Sequence, residues 1–274
     1  MKSTAPLRSV TFAYLDIETT GLSPRFGDRI CEIAILKCLE GKALDSFQTL
    51  VNPGRPISPG ASAINGITDS MVQGAPDFRE IVPSLLGMLE GTAIVCHNAP
   101  FDIGFLVTQL RIHQFSLPNN PIVDTLVLAR KCFNFPSNSL GNIVRHLGFT
   151  AENEHRAMGD VYMTRKILEA FLRDLRRERV TTLEELQTAQ GYHLRLHEME
   201  PQVIPLPPAI EEAFKAGRRI RLRYLSSFGN ETDRIVEPLD VSIRHDYIYL
   251  VAFCHLRQDR RTFRLDRIAE MSLE

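Results

Sequence analysis

The sequence predicts an α/β fold in which helices cover a mixed sheet, followed by a smaller region rich in strands. Three observations predict it. Strand-like segments of β-branched, aromatic or alternating apolar residues occupy 10–17, 29–38 and 42–51. Shorter apolar segments then alternate with segments of helical spacing as far as residue 178. Strands followed by alternating helices and strands are typical of a mixed sheet with helices packed against it, which occurs in the α/β class and also in the α+β class.

The first three strands are expected to form an antiparallel meander, because Gly41 suits a tight turn between the second and third. Prolines and glycines crowd residues 52–60, which predicts a loop. Pro100 fits the first turn of a later helix, and Gly148 fits the end of another. The predicted helices are 77–89, 100–113, 124–132, about 140–147 and about 155–178, and the predicted strands between them are 92–96 and 121–123.

The composition changes after residue 178, where a helix ends in a basic run. Residues 180–200 could form one more helix, and four prolines between 201 and 208 predict a stiff linker. The strand-rich region begins with a short helix at 209–216 and continues with strands at 219–225, 233–243, 246–253 and 261–265. We therefore expect a first domain at 8–178, a helical and proline-rich linker at 179–206, and a second domain at 207–274.

The composition excludes several classes of protein. Of the 274 residues, 44% are hydrophobic and 24% are charged, as in an ordinary globular chain. No apolar run reaches 18 residues, and the first ten residues lack the apolar core of a secretory signal. Five widely spaced cysteines argue against a disulfide framework and fit a reducing cytoplasm. The net charge of −1 excludes a polycation; 26 of the 32 basic residues are arginine, for which codon bias and surface ion pairs are the plainer explanation.

Two carboxylates lie at the end of the first predicted strand. Asp16 and Glu18 flank Ile17, and because side chains alternate along a strand, both carboxylates point to the same face. Two adjacent carboxylates need a cation, or one of them must hold a proton. A hard divalent ion such as Mg²⁺ suits their oxygens. The alternative is a solvated Asp-Xaa-Glu tripeptide without a ligand.

Further polar residues follow later elements. Asp102 lies in the first turn of a predicted helix, after His97 and Asn98 at a strand end, where α/β sheets present ligands. Alternatively, Asp102 is a helix-terminal charge and Asn98 a cap. His155 and Asp160 begin the long helix, and the small residues between them leave room for a substrate. Alternatively, both are ordinary surface residues without a role in catalysis.

Taken together and in this order, these segments resemble the DEDDh family of 3′–5′ exonucleases, which are DnaQ-like and RNase H-like, over about residues 10–175. The matching segments are YLDIETTGLSP with DRICEIA, VCHNAPFDIGFL, VDTLVLARK, NSLGNIVRHLGF and EHRAMGDVYMT. The resemblance implies an RNase H-like mixed sheet flanked by helices. It also implies that two Mg²⁺ or Mn²⁺ ions are held and that a histidine is the general base; the residues concerned are Asp16, Glu18, Asp102 and Asp160 for the metals and His155 for the base.

The same resemblance implies contacts to the terminal nucleotide of a substrate. Packing in the core is the alternative for each of them. The residues are Thr19 and Leu22 in the first motif, Ile64 and Asn65 in the predicted loop AINGITD (63–69), and His97 and Phe101 in the second motif. We assign Asp124 to the structure, because it precedes a predicted helix and suits its N-cap.

The C-terminal segments resemble a WYL domain, a small Sm-like β-barrel with a leading helix. The matching segments are IRLRYLSSFGNE, RIVEPLDV, YIYLVAF and RTFRLDRI, although Ile248 stands where the family name has tryptophan. The resemblance implies a module that senses a ligand or nucleic acid, with Tyr224, Arg264 and Arg267 as candidates. Strand alternation would put Arg264 on one face with Thr262 and Asp266. The alternative is that the arginines pair with aspartates of the barrel wall, namely Asp233, Asp240, Asp259 and Asp266.

These observations predict a metal-dependent 3′–5′ exonuclease that releases nucleoside 5′-monophosphates from single-stranded or frayed 3′ ends, with DNA favoured and proofreading or repair as its setting. The expected partners are nucleic acid and, at the C-terminal domain, nucleic acid or a small ligand; no membrane partner is expected. Two alternatives stay open. One is an exonuclease that processes RNA or degrades short oligonucleotides, since no motif reports contacts to a 2′-hydroxyl. The other is a catalytically silent regulator that binds nucleic acid.

Overall fold

The structure, a computed structural model, describes residues 4–24, 27–150, 155–198, 206–226, 230–244 and 247–274. The chain divides into two units, and each contains its own sheet. The larger unit comprises residues 1–20 and 29–201, and the smaller comprises residues 21–28 and 202–274.

The N-terminal meander is confirmed. Strand β1 (Phe12–Thr19) pairs antiparallel with β2 (Ile30–Leu39), and β2 pairs antiparallel with β3 (Lys42–Leu50). The turn between β2 and β3 consists of Glu40 and Gly41, which have φ angles of 50° and 73°. A two-residue hairpin turn of this kind requires positive φ at both positions, and glycine adopts it without strain.

Helices and three further strands complete the larger unit. In chain order they are α1 (Pro59–Asn65), α2 (Asp69–Val72), α3 (Phe78–Leu89), β4 (Ala93–Cys96), α4 (Ala99–Ile112), β5 (Pro121–Asp124), α5 (Thr125–Cys132), α6 (Leu140–His146), α7 (Ala157–Leu175), α8 (Leu183–Gln190) and β6 (Leu194–Arg195). The sheet has the strand order β3-β2-β1-β4-β5-β6. Strand β4 runs parallel to β1 and β5, whereas β6 is antiparallel to β5. The predicted mixed sheet flanked by helices is therefore confirmed.

Two segments of the larger unit differ from the prediction. The loop predicted over 52–60 ends in α1, because Ser58 caps this helix by accepting a hydrogen bond from the Ala61 amide at 3.2 Å. Proline and glycine favour a loop in the sequence, yet proline also suits the first helical turn. The single helix considered for 180–200 is shorter, because Gly191 ends α8 with a left-handed φ of 90°. The chain then adds β6 to the sheet edge.

Side-chain alternation along β1 divides its residues between two cores. Ile17 packs in the core made with α3 and α4, whereas Phe12 and Tyr14 pack in the core made with α7. Because side chains on one face of a strand repeat every two residues, Asp16 and Glu18 continue the face that α7 covers. The strand that builds the centre of the sheet thus also presents two carboxylates towards one helix.

Asp124, at the end of β5, connects the starts of two helices. Its buried carboxylate accepts hydrogen bonds from the amides of Asn98 and Ala99 at 3.1 and 3.0 Å, where α4 begins. The same carboxylate accepts from the amides of Leu126 and Val127 at 2.9 and 3.3 Å, in the first turn of α5. The capping role expected of Asp124 is confirmed.

The smaller unit contains a helix and a five-stranded antiparallel sheet. Its elements are α9 (Pro208–Ala216), β7 (Ile220–Leu225), β8 (Glu231–Arg244), β9 (Tyr247–Cys254), β10 (Asp259–Arg264) and β11 (Ile268–Leu273), and the strand order is β10-β9-β8-β7-β11. Ile210 of α9 is fully buried against Leu222, Val236 and Leu250 of the sheet. The expected small β domain with a leading helix is confirmed. Within the described ranges of either unit, no helix is long and apolar enough to cross a membrane.

The end of the chain corrects two expectations. Strand β10 stops at Arg264, and Leu265–Arg267 form a turn of 3₁₀ helix. Asp266 therefore does not share a strand face with Arg264 and Thr262, contrary to the prediction. The fifth strand, β11, was not predicted, because its Ala, Glu and Met favour strands weakly. Pairing with β7 gives this segment its extended form.

We expect Asp124→Ala to lower the free energy of unfolding by about 2–4 kcal/mol, because four backbone amides lose a buried acceptor and two helices lose a cap. Urea unfolding followed by circular dichroism measures this loss. Asp45→Ala, at an exposed position of β3, is the matched control and should change stability by less than about 0.5 kcal/mol. Equal stability of the two variants would contradict the capping role.

Candidate active site

Three carboxylates from β1 and α7 converge beside the C-terminal end of β1. Oxygens of Asp16, Glu18 and Asp160 lie within 4.8 Å of one another, and all three side chains are half-buried. Strand β1 supplies the first two on the face that α7 covers. Asp160 lies in the first turn of α7, where the helix dipole favours a negative charge. The two elements thus bring together residues separated by more than 140 positions.

Burial and mutual repulsion raise the pKa values in this cluster. Burial, followed by the charge of Asp160, raises the pKa of Glu18 to about 8. Burial, followed by the charges of Asp102 and Asp160, raises the pKa of Asp16 well above its usual value. Arg156 lowers the pKa of Glu18, but this positive charge does not offset burial and the neighbouring negative charges. Carboxylate oxygens at this spacing suit a hard divalent cation, which would supply further positive charge.

Asp102 reaches the same strand end from α4. Its side chain is buried, and Oδ1 accepts a hydrogen bond from the Ile17 amide at 3.2 Å. Among neighbouring charges, that of Asp102 contributes most to the raised pKa of Asp16. Burial also raises the pKa of Asp102 itself well above its usual value. The structure therefore places Asp102 beside the three clustered carboxylates, although outside the group within 4.8 Å.

His155 stands at the edge of the site, two residues before α7. Its side chain is exposed, and its amide donates a hydrogen bond to Asp160 Oδ1 at 3.2 Å. Its backbone is left-handed, with φ of 65°, as is that of Asn98 just before α4, with φ of 79°. Positive φ is uncommon for residues other than glycine and clusters at functional sites. Both helices that carry a site carboxylate thus begin after a left-handed residue.

Glu32 and Arg156 lie beside the site, and the sequence analysis gave them no role. Glu32 stands opposite Glu18 in the β1–β2 ladder. Arg156 follows His155 directly and forms an ion pair with Glu32 at 2.7 Å. The sequence feature that could have identified Glu32 is the presence of an acidic residue inside the apolar strand RICEIAILKC. Such a residue is rarely buried without a partner.

The predicted nucleotide contacts on β1 and α1 differ in exposure. Thr19 is buried, and its carbonyl lies 3.5 Å from Asn65 Nδ2. Asn65 is itself buried and hydrogen-bonds the Glu18 carboxylate, which lowers the pKa of Glu18 against the other effects. Ile64 is 55% exposed, and Leu22, in the turn after β1, is half-buried. The pair at 64–65 lies at the end of helix α1, so the loop predicted for AINGITD is wrong over its first part.

The two predicted contacts of the second motif also differ. His97 Nδ1 lies 2.9 Å from the Thr125 hydroxyl, and Nε2 lies 3.0 Å from the Asn138 carbonyl oxygen. Burial lowers the pKa of His97, which favours the neutral ring. Phe101 is half-buried, and its ring contacts that of Phe105 at a centroid distance of 5.1 Å. His97 thus uses both nitrogens inside the protein, whereas part of Phe101 faces solvent.

In the smaller unit, Arg264 is held by its neighbours. Its guanidinium donates to both carboxylate oxygens of Asp266, at 3.0 and 2.6 Å, and lies 3.6 Å from the centroid of the Tyr247 ring. Its amide donates to the Tyr224 hydroxyl at 3.3 Å. Arg267 is half-buried in the adjacent 3₁₀ turn. The three predicted residues Tyr224, Arg264 and Arg267 therefore lie close together.

Many other arginines of the smaller unit pair with acids, as the alternative for this region supposed. Just before and along β7 the partners are glutamates rather than the aspartates named in advance: Arg219 with Glu237, Arg221 with Glu274, and Arg223 with Glu270. Of those aspartates, Asp259 pairs with Arg261 at 3.8 Å and Asp266 pairs with Arg264 at 2.6 Å. The side chain of Asp240 lies outside the described residues.

Two sequence profiles match the chain. The profile of the RNase_T family, described as "Exonuclease", matches residues 14–168, and the profile of the WYL domain matches residues 206–273. A DNA polymerase III of the PolC type from Thermotoga petrophila is 36% identical over 179 residues, or 65% of this chain. A DNA polymerase III subunit epsilon-like protein from Rhodobacter capsulatus is 37% identical over 196 residues, or 70% of this chain. The matches span only 13% and 28% of these relatives.

Solved structures share the fold. Exonuclease X in complex with 5′ overhanging duplex DNA is 26% identical with a TM-score of 0.52; the match covers 66% of this chain and 99% of that one. E. coli exonuclease I in complex with a dT13 oligonucleotide has a TM-score of 0.57, and the match covers 89% of this chain and 55% of that one. At 20% identity the second likeness concerns the fold alone.

We expect the protein in EDTA to melt at a lower temperature at about pH 9 than at about pH 6. A carboxyl whose pKa is raised by folding gives stability below its unfolded pKa, and that stability is lost as the pH rises through the folded pKa. For Glu18 this window runs from its usual value of 4.5 to about 8. Excess Mg²⁺ or Mn²⁺ should restore the melting temperature, and more so at the higher pH.

Glu18→Gln is the control for this measurement, because it removes one titrating group of the cluster while keeping its shape. Thermal melts of this variant in EDTA should fall less steeply between the two pH values. Identical pH profiles for the two proteins would contradict the raised pKa of Glu18. A metal effect independent of pH would contradict metal binding by the carboxylate cluster.

Proposed function

Because the chain belongs to the RNase_T exonuclease family, we propose that it hydrolyses the terminal phosphodiester bond at nucleic-acid 3′ ends and releases nucleoside 5′-monophosphates. The observation that carries this proposal is the convergence of Asp16, Glu18 and Asp160 within 4.8 Å. The raised pKa values of Asp16 and Glu18 support it, since uncompensated carboxylates beside a polyanionic substrate need cations.

Four carboxylates would hold two divalent ions, Mg²⁺ or Mn²⁺. Asp16, Glu18 and Asp160 offer clustered oxygens, and Asp102 completes the set from α4. The fit is supported by donor chemistry, because hard cations prefer carboxylate oxygens. When bound, such ions lower the pKa of a water molecule and stabilise the leaving 3′ oxygen.

His155 would take the proton of the attacking water. An imidazole is the side chain best suited to accept a proton near neutral pH. Its exposed side chain is free of the core, while its amide is bound to Asp160 Oδ1. This hydrogen bond ties the position of the base to that of a metal-binding carboxylate.

The terminal nucleotide would lie between β1, the C-terminal end of α1 and the N-terminal end of α4. Ile64 is exposed and can pack against a base, and part of Phe101 is open for stacking. Thr19 and Leu22 would contact the nucleotide from the end of β1 and the turn after it. Asn65 and His97, both engaged inside the protein, would act by shaping this pocket.

We favour DNA as the substrate, in proofreading or repair. The support is the identity of 36–37% to proteins named as DNA polymerase III chains and the likeness to exonuclease X bound to duplex DNA. An exonuclease acting on RNA or on short oligonucleotides is the second candidate, since this fold also occurs in a 3′-exonuclease that recognises a histone mRNA stem-loop. Free thiols at all five cysteines support a cytoplasmic setting.

The WYL domain would sense nucleic acid or a small anionic ligand near Arg264. Tyr247 provides aromatic surface beside this guanidinium, and the Tyr224 hydroxyl accepts a hydrogen bond from the Arg264 amide. An incoming phosphate or carboxylate would compete with Asp266 for Arg264, and Arg267 would add a second positive charge.

We expect Asp16→Ala and Asp160→Ala to abolish nucleotide release, because each removes a metal-binding carboxylate, and His155→Ala to lower the rate by about 10²–10⁴. A time course on 5′-labelled single-stranded DNA, RNA and duplexes of one sequence measures this and ranks the substrates. Asp45→Ala is the control and should keep full activity. Degradation that is as fast in EDTA, or unaffected in Asp16→Ala, would contradict the mechanism.

We expect Arg264→Ala, in the full chain, to weaken binding of long single-stranded DNA and to leave kcat on a dinucleotide unchanged. The reason is that the WYL domain would bind nucleic acid, whereas Arg264 is not among the residues proposed for catalysis. Fluorescence anisotropy and steady-state kinetics give the two values. Arg219→Ala, whose partner Glu237 is local, is the matched control. Equal affinities for the two variants would contradict a role of Arg264 in nucleic-acid binding.

A further inference from the structure

We propose that Glu32 is a positioning residue, which holds the start of α7, and with it His155 and Asp160, against the carboxylates of β1. This inference rests on the roles of His155 and Asp160 given under the proposed function. Glu32 itself does not belong to the clustered carboxylates, and no step of the hydrolysis has so far involved it.

Glu32 occupies the middle of the sheet next to the site. In the antiparallel ladder it stands directly opposite Glu18, so the two side chains share one face of the sheet. It is 1% exposed. A further buried carboxylate next to the cluster adds repulsion, and indeed the charge of Glu32 contributes to the raised pKa of Glu18. A residue placed at such a cost needs a structural or functional reason.

Both oxygens of Glu32 are fully engaged. Oε1 accepts hydrogen bonds from Arg156 Nη2 at 2.7 Å and from Gln48 Nε2 at 3.0 Å. Oε2 accepts from Arg156 Nε at 3.0 Å and from the Ala157 amide at 3.1 Å. Burial alone would raise the pKa of Glu32, but these hydrogen bonds lower it below its usual value. A paired guanidinium and carboxylate of this geometry fixes both distance and orientation.

The start of α7 depends on this contact. Arg156 is the N-cap residue of the helix, and its side chain makes no capping hydrogen bond. The first amide of the helix, that of Ala157, donates to Glu32 instead. The N-cap side chain thus leaves this amide without a cap, and a strand residue 125 positions away supplies one. A carboxylate at this point also interacts favourably with the helix dipole.

The same contact restrains the catalytic end of the helix. Arg156 lies between His155 and Ala157, and the His155 amide binds the carboxylate of Asp160. Glu32 therefore binds the Ala157 amide, two residues after the proposed base, and Asp160 binds the amide of the base itself. If Glu32 let go, His155 and Asp160 would shift together relative to β1. Displacements of about 1 Å in reacting groups can cost about 10²-fold in rate.

The test compares Glu32→Gln with wild type and repeats the comparison in the His155→Ala background. We expect Glu32→Gln to lower kcat by about 10–100-fold and to change KM for a single-stranded oligonucleotide by less than about 3-fold, because substrate contacts stay in place. In the His155→Ala background the loss should be at least about 5-fold smaller, since a residue that acts through the base has less to misplace.

Glu169→Ala is the matched control. It also removes a glutamate that pairs with an arginine, here Arg165 at 2.7 Å, and this pair lies further along α7. Its kcat should stay within about 2-fold of wild type. If Glu32→Gln fails to fold, as judged by circular dichroism, Arg156→Lys decides instead. It keeps the charge but not the paired geometry, and should lower kcat by about 3–10-fold.

The outcomes separate this proposal from the proposed function. An unchanged kcat in the folded Glu32 variant, or in Arg156→Lys where that variant decides, overturns the positioning role. An equal loss in the wild-type and His155→Ala backgrounds overturns the positioning of the base, because the loss then arises through Asp160 or the fold rather than through His155. Failure of the proposed function looks different, because His155→Ala alone would then leave kcat unchanged.

Discussion

Repulsion among carboxylates gathered at the end of β1 is the constraint on which the rest of the larger unit depends. Asp16, Glu18 and Asp160 lie within 4.8 Å of one another, with Asp102 beside them. Without a rigid scaffold to hold them, such carboxylates would separate or take up protons. They stay together because β1 is buried on both faces, between the core with α7 and the core with α3 and α4. Hydrophobic burial of the scaffold thus offsets the electrostatic cost of the site.

The two helices that deliver carboxylates to this cluster start in the same way. Helix α4 begins after left-handed Asn98, and α7 begins near left-handed His155. Neither helix is capped by its own N-cap side chain. In each case a buried carboxylate from a strand accepts the first helical amide, Asp124 for α4 and Glu32 for α7. Helix position at the site is thereby set by the sheet rather than by the local sequence.

The smaller unit handles charge differently. Its arginines just before and along β7 pair with glutamates at the surface, where ion pairs contribute little to stability. Arg264 is distinct, because it combines a two-point ion pair with Asp266 and a contact with the Tyr247 ring. Such an arrangement holds the guanidinium in one orientation. A competing anion would therefore displace Asp266 from a guanidinium that is already oriented.

The carboxylate motifs and the order of the elements that carry them could be predicted from the amino-acid sequence. Alternation along residues 12–19 is enough to put Asp16 and Glu18 on one face, and apolar periodicity is enough to identify most helices. These are local properties, since they depend on backbone geometry and on neighbours in the chain. The capping role of Asp124 was accessible in the same way, because it needs only the helix that follows.

Features that depend on residues distant in the chain became evident only from the folded structure. Strands β6 and β11 are short or weak in propensity, and pairing with β5 and β7 makes them extended. The part played by Glu32 requires Arg156 and Ala157, more than 120 residues away. Strand periodicity predicted that Arg264 and Asp266 share one face of a strand. They form an ion pair for a different reason, because the strand ends at Arg264 and Asp266 lies in the turn that follows. Local patterns carry no information on such contacts, because the partners are chosen by packing of the whole chain.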